Sequence, residues 1–287
     1  MKPAPFEYCR PDTLNEAIEL LREFGPDASV LAGGMSLGAM LNMRLVRPAA
    51  VVDIKRIPGL EAVIVAGEVR TGATLTQAEA LEHDALMHEV PLLALALPWV
   101  GHFQTRNRGT LCGSVAHADP SAEMPLVLTT LNGEVELQSV RGTRRLRARD
   151  FFVDLMTTVR AHDELLTALV WPTRRPEARH AFVEIAQRHG DFAIVACAVE
   201  TVVDAQGRVV SLTIGLGGVE SRPFVADTAK FIGENACPAL AQAIAATTAE
   251  RVDPMTDFKV SAAYRRALVR SLAAQAIAEA FATRPPT

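Results

Sequence analysis

The chain has 287 residues, 49% hydrophobic and 22% charged, with 29 Lys and Arg against 33 Asp and Glu for a net charge of −4. That is enough chain for one large or two ordinary domains with a buried core, and its mild acidity, with basic residues scattered apart from Arg141 to Arg149, excludes a nucleic-acid footprint. The longest apolar run, Val90 to Val100, is broken by Pro91 and Pro98 and falls short of the roughly 20 residues that span a bilayer, so no transmembrane segment is expected.

Met1 to Glu7 carries no basic leader with an apolar core, which makes cytoplasmic residence the expectation. Thr13 to Phe24 reads as an amphipathic helix, with Leu14, Ala17, Ile18, Leu21 and Phe24 on one face, a Thr13-x-x-Glu16 capping box, and Gly25 as its stop. A short strand, Ser29 to Ala32, runs into Gly33-Gly34, and Ser36 to Arg44 reads as the next helix. Val51 to Ile54 and Val63 to Val65 are β-rich, Glu68 to Gly72 continues a hairpin, and Thr74-x-x-Gln77 is expected to cap a helix reaching His83. Pro91 to Val100 reads as a buried helix, and Gly101 to Glu123 as a long polar loop, a feature that is usually functional inside a compact domain.

Glu134 to Val140 and Leu165 to Trp171 are expected strands, and Pro172 to Pro176 the domain boundary. Beyond it, Ala181 to Ala186, Ala193 to Val203 and Val209 to Gly217 read as antiparallel strands, the last two joined at Asp204 to Gly207. Two Ala-rich helices, Pro238 to Glu250 and Ser261 to Ala282, follow. The expectation is an α+β protein, with domains at 1–175 and 176–287.

Ala32-Gly33-Gly34-Met35-Ser36-Leu37 places two residues without Cβ between a strand and a helix. Such a turn suits close approach of main-chain amides to an anion at the positive end of a helix; a plain tight turn with Ser36 as N-cap fits the same letters. Thr110-Leu111-Cys112-Gly113-Ser114 repeats the chemistry about 75 residues on, so the two loops could clasp one extended dinucleotide. Neither has the Gly-x-Gly-x-x-Gly or the P-loop spacing, and Gly215-Leu216-Gly217-Gly218 reads as a strand end. Gly34-Met35-Ser36-Leu37-Gly38 also satisfies the Gly-x-Ser-x-Gly elbow of serine hydrolases, the alternative from another class, although few strands precede it. The four cysteines form no Cys-x-x-Cys pair and the seven histidines no metal-binding spacing, so no metal site is expected here and any iron–sulfur centre belongs to another polypeptide. The Arg141 to Arg149 run reads as a solvated hairpin face that could also meet a partner.

These loops, with Thr105-Arg106-Asn107-Arg108-Gly109-Thr110, Ala118-Asp119-Pro120, Arg188-x-x-Asp191-Phe192-Ala193 and Gly215 to Pro223, resemble the FAD-binding medium subunits of aerobic carbon monoxide dehydrogenase, xanthine dehydrogenase and related molybdenum hydroxylases. The resemblance implies a vanillyl-alcohol-oxidase (PCMH)-type FAD-binding domain of two α/β subdomains, plus a C-terminal domain of antiparallel sheet and helices. It places the noncovalent FAD pyrophosphate between Ala32, Gly33, Gly34, Met35, Ser36 and Leu37 on one side and Thr110, Gly113 and Ser114 on the other. It also gives Glu123 a hydrogen bond to the flavin nucleotide and sets the Phe192 ring near the isoalloxazine. Met35, Cys112 and Ser114 depart from the commoner family residues, with main-chain contacts expected to survive. The family reading further implies a large molybdopterin subunit and a small [2Fe-2S] subunit in a dimer of heterotrimers. No catalytic side chain is then required of this chain, and a stand-alone flavin oxidase is the remaining alternative.

Overall fold

The computed structural model describes residues 2–258 and 260–283. Strand β1 (Glu7–Cys9) leads into helix α1 (Leu14–Phe24), then β2 (Ala28–Leu31), α2 (Leu37–Asn42) and β3 (Ala50–Asp53). The hairpin β4 (Val63–Ala66) and β5 (Glu68–Gly72) precedes six short helices: α3 (Gln77–Leu81), α4 (Asp84–Glu89), α5 (Pro91–Ala96), α6 (Phe103–Arg106), α7 (Leu111–His117) and α8 (Glu123–Thr130). There follow β6 (Glu134–Ser139), β7 (Gly142–Arg147), α9 (Ala148–Phe151), β8 (Phe152–Asp154), β9 (Thr157–Thr158) and β10 (Leu165–Trp171). The remainder is β11 (Ala178–Ile185), β12 (Val195–Val203), β13 (Val209–Gly217), β14 (Phe224–Val225), α10 (Pro238–Arg251) and α11 (Ala262–Ala282).

The first subdomain is a parallel sheet in the order β1-β3-β2, with Leu31 level with Asp53. Helix α1 covers it through buried Ala17, Ile18 and Leu21, the positions its apolar spacing marks. Thr13 caps that helix by accepting from the Glu16 amide, while the Glu16 carboxylate accepts from the Asp12 amide, one residue earlier than a reciprocal box would have it. Gly25, at φ 55°, ends it in a conformation that a side chain would resist.

The second subdomain is an antiparallel sheet in the order β4-β5-β10-β6-β7. Two expectations are corrected there. The N-cap of α3 is Thr76, in a reciprocal box with Glu79, and the helix ends at Leu81. Thr74 is buried, with its amide on the Leu60 carbonyl, and is committed to the sheet edge before the helix begins. Gly101 to Glu123 contains α6 and α7 rather than an irregular loop; helices of four and seven residues are too short to show a period in sequence. The Arg141 to Arg149 run spans the largely exposed β7 and the start of α9, and Arg141, Arg144 and Arg145 pair with Asp163, Glu164, and Glu68 and Glu136.

The third sheet is antiparallel, in the order β11-β12-β13-β14, and its two faces have different partners. Ala181, Val183, Val195, Cys197 and Val199 face α10 and α11 and share their core. Phe182, Ala196 and Ala198, the alternate residues, join the core of the first 171 residues. Between the sheets lies α8, every residue of which is buried. It comes close because β13 presents glycines: a Cβ on Gly215 would sit 1.9 Å from Thr130 Oγ1, and one on Gly217 would sit 3.2 Å from Leu126 Cδ2. Buried Arg265 of α11 fixes the near end of this sheet by donating to the carbonyls of Ile194 and Gly218 and to Asp257.

Gly215→Val is expected to overpack this seam and cost about 1–3 kcal/mol, or more if α8 shifts, read as a lower midpoint in thermal or urea unfolding. Arg265→Met is expected to leave two buried carbonyls without a donor and to cost about 2–4 kcal/mol; an unchanged midpoint would show that the tie is not structural.

Candidate functional site

The parallel strand β2 delivers the chain to Gly33 and Gly34. Gly34 sits at φ 72°, which turns the backbone into α2 at little steric cost. Helix α2 begins with Gly38 N–H on Gly34 O and Met40 N–H on Ser36 O. The preceding amides of Met35, Ser36 and Leu37 donate to no protein acceptor among the described residues, as the first turn of a helix requires. Ser36 makes no side-chain cap and lies in the ordinary right-handed region, at φ −87° and ψ −53°. That is not the strained nucleophile elbow of a hydrolase, and no histidine bonds to Ser36 among the described residues. Met35 is exposed on the outside of the turn.

The second segment is held in place by its own hydrogen bonds. One guanidinium nitrogen of Arg106 donates to Val100 O at 2.9 Å and Gly101 O at 3.0 Å, gathering the turn before α6. Gly109 N–H bonds Thr105 O, and Gly109 O accepts from Gln77 N–H at 2.8 Å. Thr76 and Thr110 then form an antiparallel bridge, with Leu111 N–H on Leu75 O. Thr110 caps α7 by accepting from Gly113 N–H at 2.9 Å, and a Cβ on Gly113 would lie 2.6 Å from that hydroxyl oxygen. The glycine at 113 therefore serves the cap, and its amide is already satisfied. Cys112 turns inward, its buried thiol on the Thr71 and Gly72 carbonyls, and burial holds its pKa far above the usual thiol range. It is an inert core group rather than a reactive one.

The two segments meet main chain on main chain at Gly33. A Cβ on Gly33 would lie 2.1 Å from Arg108 O and 2.9 Å from Gly109 Cα. Only glycine permits this contact, and it turns two distant stretches of sequence into one continuous wall. Beside it, Gln77 Oε1 is buried without a hydrogen-bond partner, next to where a Gly109 Cβ would fall. A buried acceptor that no protein group satisfies fits a bound molecule rich in donors.

The third predicted segment reaches the same wall from the C-terminal domain. Ile194 N–H on Ile185 O and Asp191 N–H on Arg188 O close the loop between β11 and β12. Gly190, at φ 86°, packs on Gly101 and on the His102 ring, and the His189 ring meets Trp99 and His102 edge-on at 5.7 and 6.4 Å. A cavity of about 350 Å³ opens there, lined by Gly101, His102, Phe103, Gln104, Arg106 and His189. Phe192 stands on this loop with its ring 58% exposed, an unusual state for so apolar a side chain.

Glu123 is the first residue of α8, buried, with its pKa pushed up to about 7 by burial and by the Asp119 charge. The turn that leads into α8 is braced: Pro120 O accepts from Gly218 N–H, and Ala118 O, at a left-handed φ of 55°, accepts from Met156 N–H. Sequence reasoning missed Gln77 and His189; Gln77 gave no signal, because only the fold turns its amide inward.

Comparison with known proteins shows the family to which the chain belongs. Residues 4–174 match the family described as the FAD binding domain in molybdopterin dehydrogenase, and residues 180–280 the carbon monoxide dehydrogenase flavoprotein C-terminal domain. The chain is 37% identical to the nicotine 6-hydroxylase medium subunit of Paenarthrobacter nicotinovorans, over 98% of this chain and 99% of that one. It is 32% identical to the carbon monoxide dehydrogenase medium chain of Afipia carboxidovorans, again over 98% and 99%. Its fold superposes on a chain of carbon monoxide dehydrogenase from Hydrogenophaga pseudoflava with a TM-score of 0.94 at 29% identity, covering 98% and 99%. Among the described residues no helix is long and apolar enough to cross a membrane. With both domains matched along their length, the chain belongs to the FAD-binding medium subunits of the molybdenum hydroxylases, the flavoprotein components of this class of oxidoreductase.

Proposed function

We propose that this chain binds FAD noncovalently in the cleft walled by Ala32 to Leu37 and by Thr105 to Ser114, and serves as the electron-transfer subunit of a heterotrimeric molybdenum hydroxylase. Electrons would reach it from [2Fe-2S] clusters on a small partner and leave to an external acceptor. The substrate would be hydroxylated at a molybdenum cofactor on a large partner, in a dimer of heterotrimers, with domains at about 1–175 and 176–287 here. The observation that carries the reading is the contact of Gly33 with Arg108 and Gly109, which brings two anion-suited segments to one place.

FAD, when bound, would supply the two-electron redox chemistry that links one-electron carriers to a two-electron acceptor. The chain's own groups bind and orient it. The amides of Met35, Ser36 and Leu37, at the positive end of α2, suit the pyrophosphate. On the facing side, the Cys112 amide and Ser114 hydroxyl remain for a ligand, since Gly113 N–H already serves Thr110. The Gln77 carbonyl oxygen offers an acceptor, Glu123 an acid near neutrality, and Phe192 a ring that covers or uncovers the pocket mouth. A stand-alone oxidase would need a base over the flavin, and no observation favours that reading.

The purified chain, supplied with FAD, is expected to turn yellow and to release all its flavin on acid precipitation; a folded, colourless preparation would overturn the proposal. Gly33→Val is expected to push the two segments apart and to weaken FAD binding by about tenfold or more, roughly 1.4 kcal/mol, with the far-ultraviolet circular dichroism retained. Full flavin occupancy in that variant would place the pyrophosphate elsewhere.

A further inference from the structure

The cavity of about 350 Å³ under the β11–β12 loop is built mostly from side chains that have no part in the FAD site. Helix α6 supplies Phe103, Gln104 and Arg106 to it and leads directly into Arg108 and Gly109, the main chain that Gly33 touches. The opposite side comes from the C-terminal domain through His189. Gly190 lets the two sides meet: at φ 86°, a Cβ there would sit 2.8 Å from His102 Cε1 and 3.0 Å from Gly101 O. The backbone, rather than a flexible side chain, therefore sets the separation of His102 and His189.

The lining is aromatic and carries little free charge. The His102 and His189 rings stand edge-on 6.4 Å apart, with Trp99 behind His189 at 5.7 Å. Neither imidazole hydrogen-bonds a protein group among the described residues, so both have ring nitrogens to offer a ligand. Phe103 and Phe192, on the two loops that meet here, are 63% and 58% exposed, where a folded chain normally buries such rings. Arg106 is the one permanently charged residue of the lining, and its guanidinium is committed to the carbonyls of Val100 and Gly101. A ligand suited to these walls is flat and uncharged, with acceptor oxygens at its edge for imidazole donors. The volume lies near the lower end of ligand pockets, roughly 300–1,000 Å³, which leaves room for one substituted ring. A dinucleotide acceptor would bring two phosphate charges that this lining does not answer, and both glycine turns suited to a pyrophosphate are already assigned to FAD.

We infer that this cavity receives the external electron acceptor and that the acceptor is a quinone, held by ring contact with Phe103 and by hydrogen bonds from His102 and His189 to its carbonyl oxygens. The inference rests on the proposed FAD site and names the substrate class of its oxidative half-reaction. Reduced FAD gives up two electrons and one proton, and the quinone takes two electrons and two protons to become the quinol. The second proton comes from solvent through an imidazole, which passes it to the quinol oxygen and is reprotonated. His102 and His189 are thus specificity-determining residues for the acceptor, one from each domain.

The test uses the full-length chain carrying FAD, with duroquinone, a fully methylated quinone that does not alkylate thiols, as the probe. With the flavin oxidised, duroquinone is expected to quench Trp99 fluorescence saturably and NAD⁺ is not. Trp99→Phe is expected to remove the quenching, which separates it from any effect at the buried Trp171. After anaerobic reduction with dithionite, the flavin is expected to reoxidise at a rate that saturates with duroquinone. Phe103→Ala and His189→Ala are each expected to raise the dissociation constant read from the quenching by about tenfold, with FAD and the circular dichroism retained. Gly190→Ala is expected to weaken quinone binding in the same way by parting the two loops, and His102→Ala to lower the limiting rate of reoxidation. Saturable quenching by NAD⁺ in place of duroquinone, or duroquinone effects that never saturate and ignore these variants, would overturn the quinone site and leave the FAD site standing. A folded chain that takes up no FAD would instead sink the FAD reading and the acceptor site with it.

Discussion

The contact of Gly33 with the main chain of Arg108 and Gly109 is the constraint on which the site depends. A methyl group at residue 33 would occupy the position of a carbonyl, and no rotamer relieves such a clash. Everything beside it is arranged to make the approach possible. Arg106 gathers the turn before α6, Gln77 N–H fixes Gly109 O, and the Thr76–Thr110 bridge sets the direction in which α7 leaves. The start of α7 is thereby held beside the turn that leads into α2.

The same device recurs at the domain seam with a different result. Gly215 and Gly217 let a fully buried helix lie directly on a sheet, so the C-terminal domain is packed into the N-terminal core rather than tethered to it. That packing delivers the Arg188 to Ala193 loop to the cavity beside α6. A close-packed seam of this kind suits the proposed role, which is to hold a cofactor at fixed separation from its neighbours rather than to move around a substrate.

Electrostatics divides the chain along the same lines. The exposed arginines of β7 are paired with acids of neighbouring strands, and pairs that wet contribute little to stability. Glu123 and Glu184 are buried instead, and burial pushes their pKa values up to about 7 and about 8.

Residue order alone determined the strands and helices whose period is long enough to read, from Thr13 to Phe24 through the two C-terminal helices, and the glycine segments that carry the family resemblance. It determined the FAD-subunit class, because backbone-gripping motifs are written in glycine and hydroxyl residues. Tertiary structure decided the rest. It made Gly33 a contact between loops, Gly113 a partner of a cap, Cys112 a core thiol, and Thr76 rather than Thr74 the start of α3. It also buried an oxygen of Glu184 with no hydrogen-bond partner, a result that no local pattern encodes. The physical reason is common to all of these: a glycine or an acid shows in sequence what it permits or costs, whereas what meets it across space depends on how distant strands and helices pack.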